Sequence, residues 1–188
     1  MILTIQGPAG SGKGTVAKIL SERLGYKKYS AGDYRRLMAK KIGMTLEEFN
    51  KLGEKESFTD EEADEWMRQL GLQEDNFVMD GRLGFHFIPN SVKIYLDVND
   101  DVSAERIFED NKNNPERINQ TRADNVEEQK RISMERDASD IIRYRKWYGI
   151  EDFTDRRHYD IVIDTSDLTI EQVIDKIIDY LKGKKLLS

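Results

Sequence analysis

A glycine-rich run near the start of the chain has the composition of a loop that binds phosphate. It consists of Gly7, Pro8, Ala9, Gly10, Ser11, Gly12, Lys13, Gly14 and Thr15. Apolar residues 2–5 precede it and a helical pattern at residues 15–24 follows it, so the run connects a strand to a helix. Glycines allow successive backbone N–H groups to turn toward phosphate oxygens, and Lys13 adds a full positive charge at the helix N-terminus. The pattern predicts a phosphate-binding loop, and the alternative is a tight turn that is merely rich in glycine.

Two residues are candidates for holding Mg²⁺ beside this loop. In the strict form of the motif a Ser or Thr follows the lysine directly, but here Gly14 takes that place and Thr15 comes one position later. Asp80 follows the apolar residues 77–79, and the carboxyl end of a buried strand faces the crevice in which open α/β sheets bind ligands. We expect Thr15 and Asp80 to hold Mg²⁺, Asp80 through water. The alternative for Asp80 is a turn or helix-capping residue before Gly81.

Arginines occur at separated positions from which they could converge on a second phosphate. Arg36 lies about one turn into the helical pattern that opens near Ser30, and Arg35 should point elsewhere, because neighbouring helix positions differ by about 100°. Arg82 lies in a glycine-flanked turn, a position suited to a bidentate grip on phosphate. Phosphoryl transfer to an ionised phosphate needs alignment and positive charge rather than a general base. The alternative for Arg36 and Arg82 is a solvated surface charge.

A third arginine belongs to a long charged helix. Arg136, Asp140 and Arg143 are spaced i, i+4, i+7 and therefore share one helix face. From the spacing alone they could bind a ligand or form a row of surface salt bridges.

The elements that must position these residues alternate between strands and helices. The short strand-like runs are residues 2–5, 26–29, 77–79, 92–96 and 161–163. Helical patterns cover 15–24, about 125–148 before Gly149, and 169 to about 181, and apparent capping boxes at Thr45 and Thr59 predict two more helices. This alternation predicts an α/β fold with a five-stranded parallel sheet wrapped by helices on both faces. The polar residues 110–125 predict a loop that serves as a small lid.

Bulk composition excludes several classes of function. The 188 residues carry a net charge of −6, which argues against binding of a nucleic acid polymer. Cysteine is absent, so disulfides and thiolate metal sites are excluded and a reducing compartment is suitable. Neither a membrane-spanning run nor a leader is apparent. We therefore expect a cytoplasmic protein, monomeric, whose partners are small molecules.

The motifs together resemble one family over nearly the whole chain. The quoted features are the loop from Gly7 to Thr15, the segment 30–36, the Gly81–Arg82 pair, the Arg-Asp-x-x-Asp-x-x-Arg helix from Arg136 to Arg143, and Ile163-Asp164-Thr165-Ser166. They resemble the cytidylate kinases of the nucleoside monophosphate kinase group, especially the short archaeal form. The resemblance implies a three-layer α/β/α P-loop NTPase fold, one domain over residues 1–188, an acceptor-binding segment at about 30–72 and a lid at about 110–125.

The resemblance also implies a reaction and a set of roles. The expected reaction is transfer of the γ-phosphoryl group of ATP, with Mg²⁺, to CMP or dCMP. The implied catalytic residues are Lys13, Arg82 and Arg136. The acceptor phosphate would be held by Arg36, Arg82 and Arg136, the acceptor sugar by Asp140 and Arg143, and Ala31 belongs to the same acceptor segment. ATP would be held by the loop at 7–15, by Arg106 as a lid arginine, and near adenine by the backbone at Ser166.

One departure from the family leaves base recognition open. Longer bacterial members carry an Asp after the Gly-Arg pair that helps to read cytosine, and Leu83 stands at that place here. Arg117 and Arg122 are further loop candidates for clamping ATP. The alternatives are the same fold with AMP, UMP or a small metabolite such as shikimate as acceptor, or a noncatalytic nucleotide-binding protein.

Overall fold

A computed structural model describes residues 1–113 and 123–187, in which five parallel strands form one sheet. The strands are β1 (Ile2–Gln6), β2 (Lys27–Ser30), β3 (Phe77–Asp80), β4 (Val92–Asp97) and β5 (Ile161–Asp164). Their spatial order is β2-β3-β1-β4-β5, with β1 in the centre. The predicted five-stranded parallel sheet is therefore confirmed, and because the strands are parallel, their carboxyl ends meet at one edge.

Helices connect the strands and cover both faces. They are α1 (Lys13–Leu24), α2 (Ala31–Lys41), α3 (Leu46–Gly53), α4 (Phe58–Gln73), α5 (Gly84–Phe87), α6 (Asp100–Asn113), α7 (Val126–Tyr148) and α8 (Ile170–Gly183). The side chains of β1 alternate between the two faces. Leu3 and Ile5 pack in a cluster with residues of α1 and α8, and Ile2 packs in another with residues of α4, α5 and α7. The three-layer α/β/α arrangement predicted from the alternation is confirmed.

The predicted cap of α3 and the predicted end of α7 are confirmed, but the capping box predicted for α4 is not. Helix α1 begins at Lys13, two residues before its predicted start. Thr45 accepts a hydrogen bond from the Glu48 N–H and caps α3 as predicted, and Gly149 ends α7 with a φ of 67°. The capping box predicted at Thr59 is wrong, because α4 begins at Phe58 and Thr59 lies fully buried inside it. The Thr59 hydroxyl instead donates to Asp60 Oδ2, 2.9 Å away.

The predicted lid is described only at its two ends. Residues 110–113, expected to be part of a loop, are the last turn of α6, and Asn125 caps α7. Arg117 and Arg122 lie outside the described residues. No helix in the described part of the chain has the length and apolar character needed to cross a bilayer.

Candidate active site

A cavity of about 420 Å³ opens at the edge of the sheet where β1, β2 and β3 end. Most of the residues predicted to form a site line it: Ala9, Gly10, Gly12, Lys13, Gly14, Thr15, Ala31, Arg36, Asp80, Arg82, Arg106, Arg136 and Asp140. The predicted residues that do not line it are Gly7, Pro8, Ser11, Arg143 and Ser166. The structure thus brings Lys13 and the three predicted phosphate-binding arginines, from four separate stretches of chain, to one hollow.

The glycine-rich loop has a backbone conformation in which side chains would be strained or would clash with neighbouring atoms. Gly10 and Gly12 have φ angles of +72° and +85°, in the left-handed region that favours glycine. A Cβ atom on Gly10 would lie 2.6 Å from the carbonyl oxygen of Ser103. The Ser103 hydroxyl also donates to the Ala9 carbonyl at 2.8 Å. The loop is therefore held against α6, and its glycines are required for that close approach.

Lys13 lies at the start of α1 in a strongly electropositive position. Its ammonium group donates to the Pro8 carbonyl inside the loop. Burial, reinforced by the nearby Arg82 charge, lowers the pKa of Lys13 to about 7, although Asp80 acts in the opposite direction. An anion bound beside Lys13 would relieve this repulsion between cations.

Asp80 is buried at the end of β3, and only one of its two carboxylate oxygens accepts a hydrogen bond from a described residue. Its Oδ2 accepts a hydrogen bond from the Ser30 hydroxyl at 3.1 Å. Its Oδ1 is buried, receives no hydrogen bond from the described residues and lies 3.7 Å from the Lys28 ammonium. Burial raises the pKa of Asp80, against the effect of Lys28 and Lys13. A buried acceptor of this kind has spare capacity for a cation or for water that hydrates one.

Arg82 is held rigidly by two carboxylates of α7. Its side chain is 8% exposed and pairs with Asp137, at 2.6 Å, and with Asp140. Its guanidinium carbon lies 5.4 Å from the centre of the Phe153 ring. Burial opposes the charge of Arg82, but Asp140 and Asp137 outweigh it and raise the pKa above its ordinary value. Arg82 is therefore a fixed cation at the wall of the cavity.

Arg136 and Arg36 are less fully paired. Arg136 is half-buried, its Nε has no hydrogen-bond partner among the described residues, and burial together with Arg82 lowers its pKa. Arg36 is paired with Asp33, one turn earlier in α2. The charge of Arg136 is only partly offset by Asp140 and Asp137, and its Nε keeps a donor that an anion could use.

Asp140 and Arg143 belong to an ion-pair network behind the cavity wall. Arg143 is 1% exposed and pairs with both Asp140 and Asp60. Asp140 also pairs with Arg82, and although burial acts against its charge, Arg82 and Arg143 lower the pKa of Asp140 to about 2. Asp140 reaches the cavity, whereas Arg143 lies beneath it and connects α4 to α7.

Arg106 lies at the other end of the cavity and contacts the segment after β5. Its guanidinium donates to the carbonyls of Thr165 and Ser166, at 2.8 and 3.2 Å, and to the Thr165 hydroxyl. The Ser166 hydroxyl donates to Asp164 and accepts from the Asn99 N–H. Arg106 thus fixes α6 against the segment that was predicted to approach adenine.

A family model described as "Cytidylate kinase-like family" matches residues 2–167. The chain belongs to the cytidylate kinase-like family. It is 38% identical to a cytidylate kinase of Methanocella arvoryzae, over 97% of this chain and 99% of that one. It is also 37% identical to an S-adenosylmethionine-dependent nucleotide dehydratase of Lacinutrix mariniflava, over 99% of this chain but only 37% of that relative's length.

A solved structure with the same fold is consistent with family membership. A shikimate kinase from Acinetobacter baumannii, in complex with shikimate, superposes with a TM-score of 0.61 at 18% identity, covering 99% of this chain and 95% of that one. At this identity the likeness shows the fold alone. The resemblance to the short archaeal cytidylate kinases that the motifs predicted is confirmed by the family match and by the archaeal relative.

The lining residues of this cytidylate kinase-like chain that were not predicted as site residues include charged groups of α2, α3 and α4: Arg35, Glu47, Asp60 and Asp64. Arg35 does diverge from Arg36, since it donates to the Thr59 carbonyl and to Asp60 and Asn50, yet it still borders the cavity. Asp60 and Asp64 are spaced i, i+4 with Ala63 and Met67 on the same face of α4. Two acids among apolar residues on one helix face were a usable signal.

Proposed function

We propose that this protein transfers the γ-phosphoryl group of ATP to CMP or dCMP, giving ADP and CDP or dCDP. The observation that carries the proposal is that Lys13, Arg36, Arg82 and Arg136 line a single cavity. A single phosphate site would account for the glycine-rich loop and Lys13, but not for the three arginines. The three arginines opposite it provide for a second phosphate, which a protein that only senses ATP does not need.

The cavity residues suit direct transfer between two anions. The loop N–H groups and Lys13 hold the β- and γ-phosphates of ATP, and Arg36, Arg82 and Arg136 hold the acceptor phosphate. The acceptor oxygen is already ionised, so these residues need only align the two groups and neutralise charge during transfer. The lowered pKa values of Lys13 and Arg136, caused by burial and by Arg82, identify a place where added negative charge is favourable.

The residues present fit Mg²⁺ held partly by nucleotide phosphates. Thr15 and Asp80 line the cavity, and the buried Asp80 Oδ1 has no hydrogen bond. Within the described residues no cluster of three acidic, His or Cys side chains could hold a metal by itself. Mg²⁺ commonly takes one or two protein ligands and completes its shell with phosphates and water. When bound, it would supply charge neutralisation at the β- and γ-phosphates.

The remaining residues position the two nucleotides. We assign Asp140 to the acceptor sugar and Arg143 to positioning, since Arg143 contacts Asp140 from below the cavity. Ala31 borders the acceptor end, and Arg106 with the backbone near Ser166 borders the ATP end. We propose a monomeric, cytoplasmic protein, and the absence of cysteine suits that reducing compartment.

The dehydratase relative supports the nucleotide class of the substrate. Its name describes a protein of which the chain matches 37%, so we carry over only the word nucleotide and not the dehydration reaction.

A coupled assay of ADP formation tests the proposal. Purified protein is given ATP and Mg²⁺ with CMP, dCMP, UMP, AMP or shikimate, and we expect the highest kcat/KM with CMP or dCMP. A higher kcat/KM with AMP or shikimate would identify that compound as the acceptor in place of CMP or dCMP. Absence of acceptor-dependent ADP with every compound would favour the noncatalytic alternative.

A further inference from the structure

The acceptor end of the cavity has an acidic wall. Glu47 of α3 and Asp60 and Asp64 of α4 all line it, together with Arg35 of α2. Phosphate would be repelled by this wall, so the acceptor phosphate belongs at the arginines and another part of the acceptor must face the acids. The part of a nucleotide that remains is its base.

The α4 side of this wall combines flat apolar contact with hydrogen-bond acceptors. Asp60, Ala63, Asp64 and Met67 occupy positions i, i+3, i+4 and i+7 and therefore form one face of the helix. Ala63 and Met67 offer aliphatic surface on which an aromatic ring can lie. The two carboxylates offer acceptors at the edge of such a ring.

The oxygens of Asp60 are already used by the protein. Its Oδ1 accepts from Arg35 and from Arg143, and its Oδ2 accepts from the Thr59 hydroxyl. Asp60 therefore serves the ion-pair network and has little capacity left for a ligand.

Asp64 and Glu47 have acceptor oxygens to spare. Asp64 is 5% exposed and its Oδ2 accepts from the Tyr148 hydroxyl, while its Oδ1 has no hydrogen bond from any residue that the structure describes. Glu47 Oε2 is buried and likewise has no hydrogen-bond partner within the described ranges. Glu47 Oε2 is thus a buried acceptor without a donor in the described chain, which is costly unless a ligand completes it, and Asp64 Oδ1 at the cavity wall can accept from the same ligand.

We propose that Asp64, assisted by Glu47, reads the acceptor base by accepting hydrogen bonds from its exocyclic amine. Cytosine carries that amine at C4, where uracil carries a carbonyl oxygen that a carboxylate would repel. Leu83 lines the cavity next to Arg82 and its side chain has no hydrogen-bond acceptor, so the acids of α3 and α4 would supply the acceptors from another part of the fold. This inference rests on the proposed nucleoside monophosphate kinase activity.

The test compares CMP with UMP in each of four proteins, at a pH above the Asp64 pKa of about 7 so that its carboxyl group is ionised. They are the wild type, Asp64→Asn, Glu47→Gln and the control Glu65→Gln, which makes the same carboxylate-to-amide change at an exposed position of α4 outside the cavity. An amide can donate to the uracil carbonyl, so the Asp64→Asn change should lower the ratio of kcat/KM for CMP to that for UMP by about tenfold or more. Glu47→Gln should lower it less, and Glu65→Gln should leave it unchanged.

The ratio separates failure of this inference from failure of the proposed function. Both substrates are measured on the same preparation, so a partly unfolded variant does not change the ratio. If Asp64→Asn phosphorylates CMP with an unaltered ratio, or if the wild type prefers UMP, then the proposed base recognition is wrong. The proposed kinase activity would still hold. Absence of phosphorylation with any acceptor overturns both.

A modified acceptor gives a second test that requires no variant. The monophosphate of pyrimidin-2-one ribonucleoside has hydrogen in place of the cytosine amine. We expect the wild type to use it with a kcat/KM at least about tenfold below that for CMP, because the buried carboxylates would stay unpaired. Equal use of the two compounds would contradict the inference.

Discussion

The guanidinium group of Arg143 is ion-paired with Asp60, which lies 83 residues earlier in the chain. The same guanidinium pairs with Asp140 in its own helix, so α4 and α7 are joined by buried charge under the cavity. Arg143 is almost inaccessible to solvent. These ion pairs therefore hold α4 and the long charged helix α7 together.

Removing the Arg143 charge should destabilise the protein. Arg143→Met keeps much of the side-chain volume but removes the buried cation that Asp60 and Asp140 share, leaving Asp60 with Arg35 and Asp140 with Arg82, so we expect a loss of about 3 kcal/mol in the free energy of unfolding. Chemical denaturation measures it. Arg145→Met, at an exposed position of α7 that pairs with Glu151, should cost less than about 1 kcal/mol. Similar losses of stability in the two variants would show that the buried network stabilises the protein no more than an exposed ion pair does.

Removing either of two cations at the transfer site should reduce catalysis without unfolding the chain. We expect Lys13→Ala and Arg136→Ala each to lower kcat by about 100-fold or more, because each neutralises charge during transfer. Lys18→Ala and Arg131→Ala, exposed on the same helices, are the matched controls. The coupled assay gives kcat and circular dichroism checks the fold. Near-normal turnover in either site variant would remove that residue from the mechanism.

Asp64 should make stability depend on pH. Burial raises the pKa of Asp64 from 3.8 to about 7, partly offset by the Tyr148 hydrogen bond. The folded protein therefore holds a proton that the unfolded chain releases, and this group lowers stability as pH rises through that interval. The groups that act on Asp64 are Tyr148 on α7, Asp60 and Arg68 on α4, and Arg35 on α2.

Asp64→Asn should remove that dependence. An asparagine carbonyl still accepts from Tyr148 but never has to be ionised in the interior. The free energy of unfolding of the variant, relative to wild type, should rise between about pH 4 and pH 7 and level off above it. Denaturation at a series of pH values measures the difference, with Glu65→Gln as the control. A difference that is constant with pH would contradict the assignment.

Two glycines of the phosphate-binding loop should respond oppositely to a methyl group. Gly10→Ala places a Cβ atom 2.6 Å from the Ser103 carbonyl oxygen at a φ of +72°, and we expect a loss of at least about 1 kcal/mol of stability. Gly14 lies within α1, and a Cβ atom there would meet no other group within 4 Å. Gly14→Ala should therefore be neutral or stabilising by up to about 1 kcal/mol. Thermal unfolding compares them, and equal melting temperatures would refute the packing argument.

The sequence by itself determined the parts of this protein that depend on local pattern. Apolar runs identified four of the five strands, because a strand buried on both faces needs continuous apolar character. The fifth strand, β2, was predicted one residue early at 26–29, and it is a more exposed, lysine-containing strand at the edge of the sheet. Glycine spacing around Lys13 identified the phosphate-binding loop, and the i, i+4, i+7 spacing of Arg136, Asp140 and Arg143 identified a shared helix face. These signals require only the geometry of one element.

Only the tertiary structure decided which side chains face the cavity and which support it. Arg143 shares a helix face with Arg136 but lies beneath the cavity, because α4 passes over it and brings Asp60 into contact. Thr59 has the spacing of a capping residue but is buried inside α4. Asp64 becomes a candidate base reader only when α3, α4 and the turn after β3 enclose one space. Helix periodicity determines the direction in which each side chain leaves the helix axis. The packing of distant segments determines what the side chain meets in that direction.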